Sequence, residues 1–287
     1  MAEPAAAPAP APAPPAPPAP PPRREDFFAL RAPLPPTLGT ILSIAGPALL
    51  VGLWFLLSYG GVVSRRDLPA PGDVGRSILD LWFNQGLPSA TWVSAKRILF
   101  SFALAVAVAL PLGVLMGAFE PVHRFFDPIV APFRYMPISA FIPLLVVWFG
   151  IREGQKIAFL WLGVFVYLLP VVVTAIRAVP EEYVQTAYTL GASRLRVVLT
   201  VLVPGALPDI FDAFRVMNAI SWTYIVLAEQ VNKRDPPGLG YIVDVGMMHG
   251  RAEMAFAVLI VIGVIGIGTD MALNALNRML FHWREKA

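Results

Sequence analysis

Cysteine is absent from the 287-residue chain. That excludes a disulfide framework, a thiolate nucleophile and any cysteine-based metal site. Histidine is scarce: His123, His249 and His282 are the only three, and none stands at metal-ligand spacing from another. Lysine occurs only at Lys96, Lys156, Lys233 and Lys286, and none follows the glycine-rich run of a phosphate-cradling loop. Neither H-E-x-x-H nor G-x-S-x-G is present. Charge itself is sparse. Only 14% of residues are Asp, Glu, Lys or Arg, against about 25% in a soluble globular chain. The formal net charge is +3 with the basic residues scattered, so no nucleic-acid surface is expected.

Apolar residues fill the space that charge leaves. They make up 57% of the chain, and the mean hydropathy is +0.66. Such a chain needs a solvent other than water, which predicts an all-α, polytopic membrane protein. A bilayer core takes about 20 apolar residues per helix. Six runs qualify: about Leu38 to Gly60, Ile98 to Gly117, Phe133 to Gly150, Ile157 to Ile176, Leu207 to Leu227 and Ala255 to Leu276. Six spans place both termini on one side.

Residues 1–36 form a Pro/Ala-rich tail that cannot build a core, and residues 37–287 the membrane domain. The tail lacks the basic start and apolar run of a signal peptide, so it is read as disordered, uncleaved and cytoplasmic. Lys and Arg are nearly balanced between the two sides, and charge bias alone leaves orientation open. Within the polar stretch after the first span, Asp73 to Phe83 reads as a short amphipathic helix with Val74, Ile78, Leu81 and Trp82 on one face.

Proline interrupts three spans. Pro132, Pro137 and Pro143 crowd the third, Pro170 sits late in the fourth, and Pro204 and Pro208 open the fifth. Each removes a backbone donor, giving either ordinary kinks or helices that line a wet path. In the second span, Gly113 and Gly117 form a G-x-x-x-G suited to close helix packing.

Between the fourth and fifth spans the connection has a structure of its own. Pro180, Glu181 and Glu182 suit the first turn of a helix. Tyr183, Ala187 and Leu190 recur at helical spacing, Gly191 can take the left-handed end, and Ser193 can cap a second helix. The segment is either an exposed knob for another protein or an interfacial helix that merely joins two spans.

This stretch resembles the signature of permease subunits of ATP-binding-cassette importers, E-A-A-x-x-x-G-x9-I-x-L-P. Gln185, Thr186 and Ala187 stand at the E-A-A, Gly191 at the glycine, and Val201, Val203 and Pro204 at the I-x-L-P. Gln185 departs from the acid and Thr186 from the alanine. Further runs are similar to the nitrate/sulfonate/taurine/bicarbonate branch: Leu68-Pro69-Ala70-Pro71, Arg97-Ile98-Leu99, Pro111-Leu112-Gly113, Ile142 through Gly150, Thr189 through Arg194, and Gly238-Leu239-Gly240-Tyr241. The resemblance implies the type I importer permease (MetI-like) architecture, with a coupling helix at about residues 181–194. It implies an inner-membrane homodimer in lipid, a cytoplasmic ATPase that binds ATP and Mg, and an extracytoplasmic substrate-binding protein. The chain itself would bind no cofactor or metal and would not be an enzyme. The cargo would be a small anion or organic solute. Tyr183, Gln185, Thr186, Ala187, Leu190, Gly191 and Arg194 would meet the ATPase.

Polar residues inside spans are costly and face protein or water. Asp212 and Arg215 lie on one helical face of the fifth span and are expected to pair. Asn218, Ser221 and Trp222 follow at helical spacing, either along a polar path or in interhelical hydrogen bonds. Glu229 ends that span, and the loop on to Gly240 is either a contact for a binding protein or a solvated turn. A self-contained secondary transporter or channel is the alternative. It would carry inverted repeats or a mid-membrane coupling carboxylate; no repeat is visible, and Asp212 and Asp270 lie toward span ends. An intramembrane enzyme would need a nucleophile–base pair or a metal constellation, and neither is visible in the sequence.

Overall fold

The structure is a computed structural model describing residues 35–230 and 236–281. The tail expectation falls on residues 1–34, which lie outside the described residues, as does the Val231–Asp235 part of the loop before Gly240. The chain divides into two compact units, residues 1–53 and 54–287. Helix α1, Pro36–Tyr59, runs through that division and supplies the described part of the first unit. Inside it, the Thr40 hydroxyl donates to the Pro36 carbonyl at 2.9 Å and Ser43 to the Thr40 carbonyl at 2.8 Å.

In the second unit every regular element among the described residues is helical. Helix α2, Pro71–Phe83, is the expected amphipathic helix, with Val74, Ser77 and Leu81 buried and Trp82 left exposed. Helix α3, Leu87–Ala118, and helix α6, Glu153–Arg177, are the most extensively packed pair among the described residues. The glycines explain why. A Cβ on Gly113 would lie 2.7 Å from Val172 Cγ1, and one on Gly117 would lie 2.6 Å from Ile176 Cβ. The G-x-x-x-G therefore packs α3 against α6 of the same chain, where dispersion contacts between close backbones replace a hydrophobic driving force.

The third expected span departs from a straight rod. Helix α4, Glu120–Val130, continues into a 3-10 turn at Ala131–Tyr135. After a bend of 99° come a second 3-10 turn and helix α5, Ile142–Phe149. Pro132 opens the first 3-10 turn, and Pro137 forces Met136 into extended backbone with ψ of 133°. With eight residues, α5 rises about 12 Å, well short of a bilayer core of about 30 Å. Among the described residues, five helical runs are long and apolar enough to cross a membrane, and the bent pair makes a sixth if counted as one span.

Helix α7, Glu181–Thr189, leads to helix α8, Arg194–Val197. Both prolines of the fifth span are absorbed inside one helical run, Arg194–Gln230, which starts earlier than expected. A π turn at Val198–Leu202 lets the Val203 N–H bond the Val198 carbonyl, five residues back, directly before Pro204. Helix α9, Val203–Gln230, follows. Helix α10, Leu239–Met248, is a short apolar helix not anticipated from the sequence, and helix α11, Ala252–Leu280, completes the unit.

Two buried apolar clusters share the bundle. One joins Ala109, Leu168, Val172, Val198 and Ile210 toward the α7 end. The other joins Leu87, Phe159, Trp222, Leu239 and Met254 toward the opposite end.

Candidate functional site

The α7 segment is built by local chemistry. Pro180 precedes its first turn in extended backbone, and Glu181 and Glu182 sit where the helix dipole favours negative charge. Its far end is a Schellman motif. The Ala192 N–H donates to the Ala187 carbonyl at 3.0 Å and the Gly191 N–H to the Tyr188 carbonyl at 2.9 Å. Gly191 holds φ at +80°, and a Cβ there would meet no atom within 4 Å. Within this chain, backbone conformation rather than space requires that glycine. The Ser193 hydroxyl then accepts from the Arg196 N–H at 3.4 Å and caps α8.

Exposure sorts the expected docking residues. Tyr183, Gln185, Thr186, Leu190, Gly191 and Arg194 are exposed, and Leu190 is 83% open. Ala187 is half-buried beside Val184, so it faces the bundle and not the apolar patch of Tyr183 and Leu190. Helical spacing groups residues 183, 187 and 190, and Leu190 keeps that register, its N–H donating to the Thr186 carbonyl at 3.2 Å, yet Ala187 is the one of the three turned inward. Behind α7 lies a cavity of about 350 Å³ lined by Val184, Tyr188, Val198 and Leu202 among others.

In α9 the expected charge pair has a closer partner. Arg215 donates through Nε and Nη2 to both carboxylate oxygens of Asp270, at 3.0 and 2.9 Å. Asp212 stands 3.8 Å from Arg215 Nη1 and accepts from Asn277 Nδ2 at 2.6 Å. A bidentate carboxylate 55 residues away outcompetes one three residues away, because planar fork-to-fork geometry needs a facing helix.

Asn218, Ser221 and Trp222 do not share one lining. Asn218 donates to Thr269 on α11 at 3.0 Å, and Ser221 donates back to the Met217 carbonyl at 2.9 Å. Trp222 is buried, and its indole N–H has no partner among the described residues. The exposed face of α9 carries Val216, Ala219, Thr223 and Leu227 instead.

At the end opposite α7 stands a buried charge network that sequence reasoning missed. Arg97 of α3 donates to Glu229 of α9 through Nη1 at 2.7 Å. It also donates to Glu153 of α6 through Nε at 2.8 Å, with a second bond from Nη2. Nη2 reaches the Pro236 carbonyl as well, at 2.9 Å. Ser94 donates to the Glu229 carboxylate at 2.7 Å and accepts the Leu239 N–H at 2.9 Å. The Gly240 N–H completes the carboxylate shell at 2.8 Å.

Arg97 is 4% exposed and Glu229 1%. Lys156, equally buried, lies 3.7 Å from Glu153. The Gly238-Leu239-Gly240 run now has a reason: a Cβ on Gly238 would overlap the Glu229 carboxylate, and one on Gly240 would sit 2.6 Å from the Val226 carbonyl. The signal available in sequence was a lone arginine and a lone glutamate on apolar helices, each needing a partner that spacing could not name.

Residues 109–282 match the family described as binding-protein-dependent transport system inner membrane component. The taurine transport system permease protein TauC of Escherichia coli (strain K12) is 32% identical over 247 residues, covering 84% of this chain and 89% of that protein. The nitrate import permease protein NrtB of Leptolyngbya laminosa is 26% identical and covers 79% and 81% respectively. Among solved structures, an inward-facing MetNI methionine ABC transporter aligns with a TM-score of 0.60 at 22% identity, over 67% of this chain and 95% of that one. That likeness establishes the fold.

Proposed function

The chain belongs to the family of inner membrane components of binding-protein-dependent transport systems, and from that premise we propose that it forms, as a homodimer, the path of an ATP-driven importer for a small oxyanion of the nitrate, sulfonate or taurine kind. Membership makes it a multi-pass membrane permease that works with an ATPase and a substrate-binding protein. The cargo class is taken from relatives named for taurine, aliphatic sulfonates and nitrate.

The observation that carries the coupling role is the exposed, rigidly terminated α7. An apolar Leu190 and a Tyr183 ring stand open on a helix whose far end is closed by the Schellman turn at Gly191. Such a knob seats in a groove of the cytoplasmic ATPase, where ATP and Mg²⁺ bind and are turned over. Closing of the ATPase pair moves α7, and the bundle changes between its two openings. Substrate, binding protein and ATP shift that equilibrium only through their different affinities for the two states. In this arrangement both chain termini are cytoplasmic and the Arg97–Glu229 end is extracytoplasmic.

The test uses the absence of native cysteine. Tyr183→Cys or Thr186→Cys is expected to crosslink to the ATPase in membranes and to react with thiol reagents only from the cytoplasmic side. Labelling only from outside would invert the topology and end the proposal. Cytoplasmic labelling without a crosslink would remove the docking role.

A further inference from the structure

On the side of the bundle where α3 and α11 begin lies a cavity of about 520 Å³. Its walls come from the connection after α1, from α2 and from the turn between α10 and α11. Arg65 and Arg66 enter it from the connection, Arg76 from α2 and Arg251 from the turn. Antiparallel contacts of α9 with α11, Asp212 with Asn277 and Asn218 with Thr269, put this side opposite α7.

Four arginines and three acids, Asp73, Asp80 and Glu253, line the cavity, and among the described residues only Arg251 of the four is ion-paired. Glu253 is held by Arg251 at 3.1 Å. Asp80 accepts from Asn84 at 2.8 Å and from Gln85 at 2.6 Å. Asp73 occupies the first turn of α2, where the helix dipole favours it. Arg65, Arg66 and Arg76 make no ion pair with any described residue, and Arg65 only approaches the Tyr59 ring, at 5.9 Å. A Cβ built on Gly250, where φ is +69°, would lie 3.6 Å from Arg66 Nη2.

A second observation points the same way. Ser77 lines this cavity, is 4% exposed, and its hydroxyl has no hydrogen-bond partner among the described residues. A buried hydroxyl without a partner is costly and calls for one. Three guanidinium groups without an ion-pair partner, lining the same cavity as a donor hydroxyl, form the complement of a small oxyanion, whose oxygens accept several charge-assisted bonds at once.

We propose that this cavity binds a small oxyanion of the sulfonate, sulfate or phosphate class, through Arg65, Arg66, Arg76 and the Ser77 hydroxyl. That it collects such an anion at the extracytoplasmic mouth of the importer rests on the function argued above. Binding itself needs neither ATP nor the ATPase, so its failure is separate from failure of the α7 crosslink. The same chemistry occurs in a free anion and in a phospholipid headgroup.

The experiment titrates the full-length chain, purified in detergent and stripped of lipid, with sodium sulfate and sodium ethanesulfonate against chloride at constant ionic strength. Saturable binding is expected. Arg66→Gln and Arg76→Gln should each weaken it by about tenfold or more, and Ser77→Ala by several-fold. Arg124→Gln, in α4 at the other end, should leave it unchanged. Repetition in phosphatidylcholine and phosphatidylglycerol nanodiscs separates the sources. Loss of sulfate binding only in phosphatidylglycerol assigns the site to a headgroup, and equal binding in both assigns it to a free anion. Absence of saturable binding in the lipid-free chain, or binding that the Arg66 and Arg76 variants leave intact, overturns the proposal.

Discussion

The two ends of the bundle are stabilised by opposite means. At the α7 end the chain is held by neighbours in sequence: an acidic first turn, a Schellman turn at Gly191, and a Ser193 cap. Its distinctive side chains point away from the protein. At the other end Arg97, Glu153, Glu229 and Ser94 are drawn together across 56 to 135 residues, and three of them are buried. The contrast teaches where variation should harm the chain itself and where it should harm only its partnership.

The sharpest way to test that contrast is to open the buried network. Arg97→Met leaves the Glu229 carboxylate without its ion-pair partner in an apolar setting. Loss of one member of a buried pair typically costs about 3–5 kcal/mol. We expect the detergent-solubilised chain to lose folded yield and to unfold at markedly lower temperature. Arg97→Met combined with Glu229→Leu should regain part of that loss. A single variant as stable as the parent would mean that the network holds nothing. Gly238→Ala strikes the same place more gently, by pushing a methyl into the carboxylate. Overpacking of this kind costs about 1–3 kcal/mol, read in the same unfolding measurement.

Between the ends lies the α9–α11 contact, which ranks the two acids near Arg215. Asp270→Asn breaks a bidentate pair, whereas Asp212→Asn can keep its bond to Asn277. Asp270→Asn is expected to lower thermal stability by about 1–2 kcal/mol, and Asp212→Asn by clearly less. The reverse order would show that the three-residue spacing dominates after all.

How much of this was legible follows from range. The helical class, the amphipathic α2 and the α7–Gly191–α8 shape are written in single continuous runs of sequence, and periodicity and capping chemistry read such runs. The crowding of Pro132, Pro137 and Pro143 signalled an interruption, but not a bend of 99°. Short α10 was hidden because its ten residues read as part of a loop. Arg97 was read only within a family run, Glu229 as the end of the fifth span, and Asp270 as a span-end acid. Which of them meet depends on how α3, α6, α9 and α11 pack, and no local pattern encodes that.

At the α7 end the expected effect on the chain's own stability is the smallest. Leu190 is 83% exposed, so Leu190→Ala removes almost no internal contact, and exposed substitutions away from special features usually fall within about 0.5 kcal/mol. In a complex the same side chain would be an apolar anchor, and burying a leucine contributes about 1.5–3 kcal/mol. Leu190→Ala should therefore leave thermal unfolding of the isolated chain unchanged while weakening ATPase association by about tenfold, measured by co-purification and by crosslinking through Thr186→Cys. Gly191→Ala separates conformation from contact. Its left-handed φ penalises a side chain by about 1 kcal/mol even though space is open, so it should lower both stability and association modestly. If Leu190→Ala destabilised the isolated chain as much as Gly238→Ala, the division between an inward-held end and an outward-facing one would collapse. If it left association untouched, the apolar patch on α7 would have to serve something other than the ATPase.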